Sequence, residues 1–302
     1  MKADRRSFLK GLGAAAGAGL LVPSWGAFAR GRRDFKISVA GWSMHREVQS
    51  GQISQRQIFR VMREEFEIDA FELVNTMLEV PTSSYVDQIR RESGRYNVAI
   101  PLIMIDSEGN LGDADANRRK RAVRDHHKWI YVASDLGCHS VRVNWRGEPR
   151  NWQSDEAAAT DFVNRSTEAF KSLCEFGAAN GINVIIENHG GPSSYPAMLT
   201  RLIRAVDSPN FGTLPDFGNF PNDVDRYDAV DRMMPFAKAV SAKCYDFGAD
   251  GNETRIDFER MLQICVDKHG YSGFIGIEYE GNRMSEREGI RAARDLLIKL
   301  RG

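Results

Sequence analysis

Three carboxylates stand where an apolar run ends. Glu187 closes "INVIIE", Asp216 follows "GTLP" and Glu278 follows "FIGI". A carboxylate so placed is costly to bury unless it is paired, hydrogen-bonded or bound to a cation. Three that converge could hold one hard divalent cation. Oxygen ligands suit Mg2+ or Mn2+, and an added imidazole shifts the preference towards Mn2+, Co2+ or Zn2+. The same acids could instead pair with arginines or lysines as structural glue. A further run, "VSAKCY", carries Lys243 two residues after Ser241, and alternation along a strand puts the two on one side. Lys243 could contact a substrate oxygen that becomes negative, or form one half of a structural salt bridge.

The elements that must position these groups are legible as a pattern. Eight short, β-rich apolar runs occur at 35–42, 68–74, 97–105, 139–145, 182–188, 211–217, 239–245 and 273–279. Longer amphipathic stretches lie between them. Residues 53–66 put Ile58, Val61 and Met62 on one helical face, 155–181 and 255–270 each end on a glycine suited to a helix stop, and Ser285 stands three residues before Glu288, a capping-box spacing. Eight such units in about 270 residues predict an α/β fold, a single (β/α)8 TIM barrel over 30–302. An open doubly wound sheet is the rival, but "AGWSMH" after the first strand lacks its glycine-rich phosphate turn.

In a barrel, catalytic groups project from the C-terminal strand ends. That rule sends Trp42, His45, Glu72, Asn75, Asp106, Arg142, Asn144, Trp145, Glu187, Asn188, His189, Asp216, Asn219, Ser241, Lys243, Asp246, Glu278 and Glu280 to the mouth. His189, like His45, could contact substrate or do acid–base work, and Glu187, Glu278 and Lys243 are further catalytic candidates. Trp42, His45, Glu72, Arg142, Trp145, Asn219 and Tyr279 are candidate substrate contacts, and Phe217 and Phe220 could add to the pocket wall. Of the other histidines, His126 and His127 are expected as solvated helix residues, and His139 and His269 at the opposite rim.

The 41 basic and 41 acidic residues of the 302-residue chain balance, and 42 % of it is hydrophobic. This composition suits a globular enzyme and gives no basic excess with which to bind nucleic acid. Residues 1–29 stand apart. "DRRSFLK" precedes an apolar run, 11–22, that is shorter than the roughly 20 residues of a membrane span, and "AFA" offers a small-residue cleavage site. The Arg5-Arg6 core resembles a twin-arginine export signal, so a periplasmic mature protein starting near Arg30 is expected. Its removal takes four basic residues and one acidic residue, leaving an acidic excess of three. No cysteine near the cleavage site suggests a lipid anchor. Cys138, Cys174, Cys244 and Cys265 form no C-x-x-C pair and read as small buried hydrophobes.

"VIIENHGG", "LPDFGNF" and "IGIEYEG", together with the strand pattern over 35–300, resemble the xylose isomerase-like TIM barrels, among them sugar isomerases and epimerases. The resemblance implies a divalent metal held by Glu187, Asp216 and Glu278. It places Ser241 where the family carries a histidine ligand, and Asn219 where D-x-x-H ends in histidine. It further implies a small-molecule sugar substrate and leaves a homo-oligomer open. The expected reaction is isomerisation or epimerisation of a sugar or keto-sugar by proton abstraction next to a carbonyl, with Glu278 and Glu187 as the base and acid the resemblance implies. The alternatives are β-elimination from a 3-keto-glycoside, or a non-catalytic sugar-binding barrel.

Overall fold

Each apolar run becomes one strand of the computed structural model, which describes residues 32–79 and 82–302. The strands are β1 (Lys36–Ala40), β2 (Phe71–Val74), β3 (Leu102–Ile105), β4 (Ser140–Val143), β5 (Asn183–Glu187), β6 (Phe211–Leu214), β7 (Val240–Cys244) and β8 (Phe274–Tyr279). All paired strands are parallel, in the order β6-β5-β4-β3-β2-β1-β8-β7. The circle closes between β6 and β7 through bridges rather than a full ladder. Asp216 stands opposite Ser241 and Thr213 opposite Ala237, and the Ser241 amide donates to the Pro215 carbonyl at 2.9 Å. The expected TIM barrel is therefore observed, and its seam runs past two of the residues singled out for chemistry. The proposed export signal lies outside the described residues.

The helices are α1 (His45–Gln49), α2 (Gln55–Glu64), α3 (Ser83–Tyr96), α4 (Ala116–Asp135), α5 (Glu156–Ala179), α6 (Pro196–Val206), α7 (Arg226–Met233), α8 (Phe258–Leu262) and α9 (Glu286–Arg301). Ile58, Val61 and Met62 of α2 are buried, as their spacing predicts. Ser285 and Glu288 form the reciprocal capping box that starts α9. Gly181 and Gly270 take positive φ, 71° and 65°, the left-handed conformation that ends helices and suits glycine best. The stretch expected as one helix over 255–270 departs from that reading: α8 is one short turn after its Asp257 cap and widens into a π-type segment over Gln263–Lys268.

Two apolar layers follow from the alternation of strand residues. One side of each strand joins a large core with the helices. The other fills the barrel, where Leu102, Met104, Ile185, Leu214 and Ala239 make an apolar layer under Trp42. His126 belongs to the first layer. It is buried on α4 with Ala122 and Ile130, one helical repeat away on either side, and its Nδ1 lies 2.7 Å from the Ala122 carbonyl. This corrects the expectation of a solvated residue. His127 is half-buried and stacks on Phe176, ring centroids 3.7 Å apart. All four cysteines are buried and free. No helix among the described residues is long and apolar enough to cross a membrane.

Candidate active site

Inside the C-terminal end of the barrel, Arg142, Glu187, Asp216, Lys243 and Glu278 are each no more than 1 % exposed. Charges withdrawn from water must be neutralised, and four of these five groups are paired in two chains. In the first, Arg142 of β4 donates to Asp106 at 2.8 Å and lies 3.0 Å from Glu187 Oε2. In the second, Lys243 Nζ of β7 stands 3.1 Å from both Glu278 and Glu280. Between them, Glu187, Asp216 and Glu278 present carboxylate oxygens that all lie within 4.8 Å of one another.

The backbone holds these acids in register. Asn188 clamps the Asp216 peptide from both sides, accepting from its N–H at 2.7 Å and donating to its carbonyl at 3.0 Å. Asp216 Oδ1 accepts the amides of Gly218 and Asn219, each at 2.8 Å. The Asn219 side chain returns to Glu187 Oε1 at 2.9 Å. Gly218 has to be small: a Cβ there would lie 2.6 Å from Lys243 Cγ and 2.9 Å from the Tyr245 hydroxyl.

Ser241 joins the two halves. Its hydroxyl is 2.7 Å from Asp216 Oδ2 and 2.9 Å from Glu278 Oε2. A hydroxyl has one proton and cannot donate to both, so one carboxyl must carry a proton. Asp216 is that group. Burial pushes it up to about 8 despite the nearby Lys243 ammonium. Burial would raise Glu278 too, but Lys243, Arg142 and the Ser241 hydroxyl together hold it below the ordinary carboxylate value. Without a cation, a proton on Asp216 would let Ser241 Oγ accept from it and donate to ionised Glu278. Glu187, on the other side, is pushed up to about 7 by burial and by Glu278, against the pull of Arg142.

These residues fit a divalent cation. Glu187 Oε2 is buried without a hydrogen bond, since Arg142 Nε is near but out of line. The Ser241 hydroxyl bridges two of the acids. The donor set of Glu187, Asp216 and Glu278 is thus three carboxylates, all hard oxygen ligands.

The remaining sequence candidates divide. His189 reaches the site. Its Nδ1 accepts from Arg146 Nη2 at 3.1 Å, and because a guanidinium only donates, Nε2 bears the proton. Burial and Arg142 push the ring down to about 4, so it is neutral. Trp42 is half-buried against the interior apolar layer. His45 is held elsewhere on the rim, with Nδ1 2.6 Å from the Trp42 carbonyl and 3.3 Å from Glu286 at the start of α9. Glu72 is enclosed within the barrel, where it accepts the Ser38 hydroxyl at 2.6 Å. Gly276 makes its room, since a Cβ there would lie 2.5 Å from Glu72 Oε1, and burial pushes Glu72 up to about 7.

Three aromatic candidates are corrected. Trp145 stacks on Phe162 and donates to Ser166, Tyr279 meets the Met284 backbone, and Phe217 packs edge-on against Phe258. All three are buried in the outer core, not at the mouth. Each follows an inward-facing polar residue by one position, so the alternation that sends Asn144, Glu278 and Asp216 inwards sends its neighbour out. The strand-end rule reached Glu280, Asp106, Arg142 and Glu187 but not their pairings, Glu280 with Lys243 and Arg142 between Asp106 and Glu187, and it missed Arg146 behind His189. Period-two parity carries a signal for Glu280, while Arg146 lies on a loop whose path no pattern gives.

A cavity of about 650 Å3 opens beside the acids, lined in part by His189, Asn219 and Phe220.

Residues 63–300 match the model of a family described as xylose isomerase-like TIM barrel. Among solved structures, a D-tagatose 3-epimerase-like protein aligns with a TM-score of 0.69 at 18 % identity, over 88 % of this chain and 97 % of the other. A 3-keto-D-glucoside 4-epimerase from E. coli aligns with a TM-score of 0.64 at 16 % identity, over 82 % and 94 %. A xylose isomerase-like TIM barrel protein from Mycobacterium smegmatis in complex with magnesium gives 0.62 at 16 %, over 89 % and 96 %. At these identities the likeness to each is one of fold. No curated protein sequence matches the chain.

Proposed function

The chain belongs to the xylose isomerase-like TIM barrel family, and from that premise we propose that it is a sugar or keto-sugar isomerase or epimerase acting by proton transfer next to a carbonyl. The observation that carries this reading is the convergence of Glu187, Asp216 and Glu278 within 4.8 Å, with a buried cation paired to each outer member of the trio.

Abstraction of a proton next to a carbonyl needs a base, an acid that returns the proton, and positive charge near the oxygen that becomes negative. Glu278, kept ionised by Lys243, is the base. Glu187 comes from β5, separated from β8 by two strands, and reaches the substrate from another side to return the proton. Its carboxyl is oriented by Asn219 and Arg142. The protonated Nε2 of His189 can hold a substrate oxygen, and Lys243 keeps positive charge beside the base while the proton is in transit. A divalent cation held by Glu187, Asp216 and Glu278, with Mg2+ or Mn2+ suited to their oxygens, would polarise the substrate carbonyl.

Incubation with a panel of keto-sugars in deuterated water tests the proposal. Deuterium is expected at the carbon next to the carbonyl of at least one member. A panel that stays unlabelled across Mg2+, Mn2+, Co2+ and Zn2+ would reject it.

A further inference from the structure

The cavity beside the acids is built from three loops of the same barrel face, those that follow β4, β5 and β6. Its walls include Trp152, Gln153, Tyr195 and Phe220, and its inner edge is His189 and Asn219. Asn219 is the wall it shares with the acids, because the same side chain donates to Glu187. The loops after β5 and β6 are tied into one surface: Ser194 accepts from the Gly190 amide at 2.8 Å and donates to the Asn219 carbonyl at 2.7 Å.

The chemistry of this wall differs from that of the acids. Trp152 and Tyr195 meet edge to face, with ring centroids 5.1 Å apart, and both are only half-buried. Polar atoms lie at their edges. Gln153 donates to the Tyr195 hydroxyl at 2.8 Å, and that hydroxyl stands 3.2 Å from the Asp223 carboxylate. The lining holds no lysine or arginine, and the Arg146 guanidinium behind it is engaged with His189 Nδ1. Aromatic faces with polar edges suit a neutral ring that is apolar on its face and hydroxylated at its rim. Its volume of about 650 Å3 falls in the range of about 300–1,000 Å3 that encloses drug-sized ligands, several times the bulk of one sugar ring. A free monosaccharide engaged at the carboxylates would leave this aromatic wall facing water.

We infer that the substrate is a neutral glycoside, with its reacting ring at Glu187 and Glu278 and its second ring or aglycone against Trp152, Tyr195 and Phe220. This assignment rests on the proton-transfer reading for which ring reacts, but not for the binding itself. The second ring is bound uncharged and in contact with aromatic side chains. It therefore contributes affinity that a free sugar cannot obtain.

The test uses the full chain and two unreactive probes, glucose and phenyl β-D-glucopyranoside, with binding followed by calorimetry. The phenyl glycoside should bind at least about tenfold more tightly, the scale of one or two aromatic contacts. Trp152→Ala and Tyr195→Ala should each bring the ratio towards one. Deuterium wash-in is then compared for the keto derivatives of the same pair, and the ratio of kcat/KM should favour the glycoside and fall in both variants. Equal binding of the two probes, or a preference that survives both substitutions, overturns the pocket assignment even where the keto compounds exchange. Selective binding that both substitutions abolish, with no exchange in either keto compound, keeps the pocket assignment and rejects the proton-transfer reading.

Discussion

Ser241 and Lys243 show how two residues on one strand organise a buried set of charges. The Ser241 hydroxyl bridges Asp216 and Glu278, and Lys243 keeps Glu278 ionised while also meeting Glu280. Lys243→Met would leave Glu278 buried without its cation. Because both groups are almost wholly buried, the loss in folding stability is expected to be about 3–5 kcal/mol, as for other broken buried pairs. Urea unfolding measures it, and an unchanged midpoint would mean that the pair contributes nothing. The sequence made the three acids visible because each follows an apolar run and is costly there. It gave the aromatic candidates a misleading prominence. Trp145, Phe217 and Tyr279 sit next to inward-facing residues in the chain, and adjacency in a strand means the opposite face.

At the scale of elements, strands and helix stops were readable from periodicity, glycine and capping signals, as β5 and α9 illustrate. The seam between β6 and β7 was not, because closure there uses isolated bridges that leave no pattern in either segment. Gly218, in the loop after β6, presses against Lys243 and so couples the seam to the buried charges. Gly218→Ala places a Cβ 2.6 Å from Lys243 Cγ. The expected cost is about 1–3 kcal/mol, the range for overpacking, with a larger loss of activity than a surface Gly→Ala change produces. A variant with wild-type melting and wild-type turnover would show that Lys243 can move without consequence.

For the molecule as a whole, the buried carboxyls set a pH dependence. Glu72 and Glu187 are raised from 4.5 to about 7, and Asp216 from 3.8 to about 8. The folded protein therefore keeps protons that the unfolded chain releases, and its stability falls as pH rises towards 8. His126, His127, His139 and His189 are pushed below 6.5, and because their unfolded counterparts still hold a fraction of a proton at pH 7 they add a smaller slope of opposite sign, which the carboxyls outweigh. After chelation, the melting temperature should drop from pH 7 to pH 8. Added Mn2+ should reduce the drop and release protons as it displaces them from the carboxyls, seen as a binding heat that changes with the buffer. A melting temperature that rises over this interval would contradict the assignment. The proposed export signal makes a separate whole-molecule prediction: changing Arg5 and Arg6 to lysine should leave the protein unprocessed in the cytoplasm, and normal processing would rule out the twin-arginine route. The central claim is that Glu278 and Glu187 move a proton next to a sugar carbonyl. Its most direct test is the rate of deuterium wash-in from solvent into a keto-sugar substrate, compared among wild type, Glu278→Gln and Glu187→Gln. Each variant is expected to fold and to lose about a hundredfold or more in exchange rate, the scale of acid–base groups; full exchange in both would contradict the account.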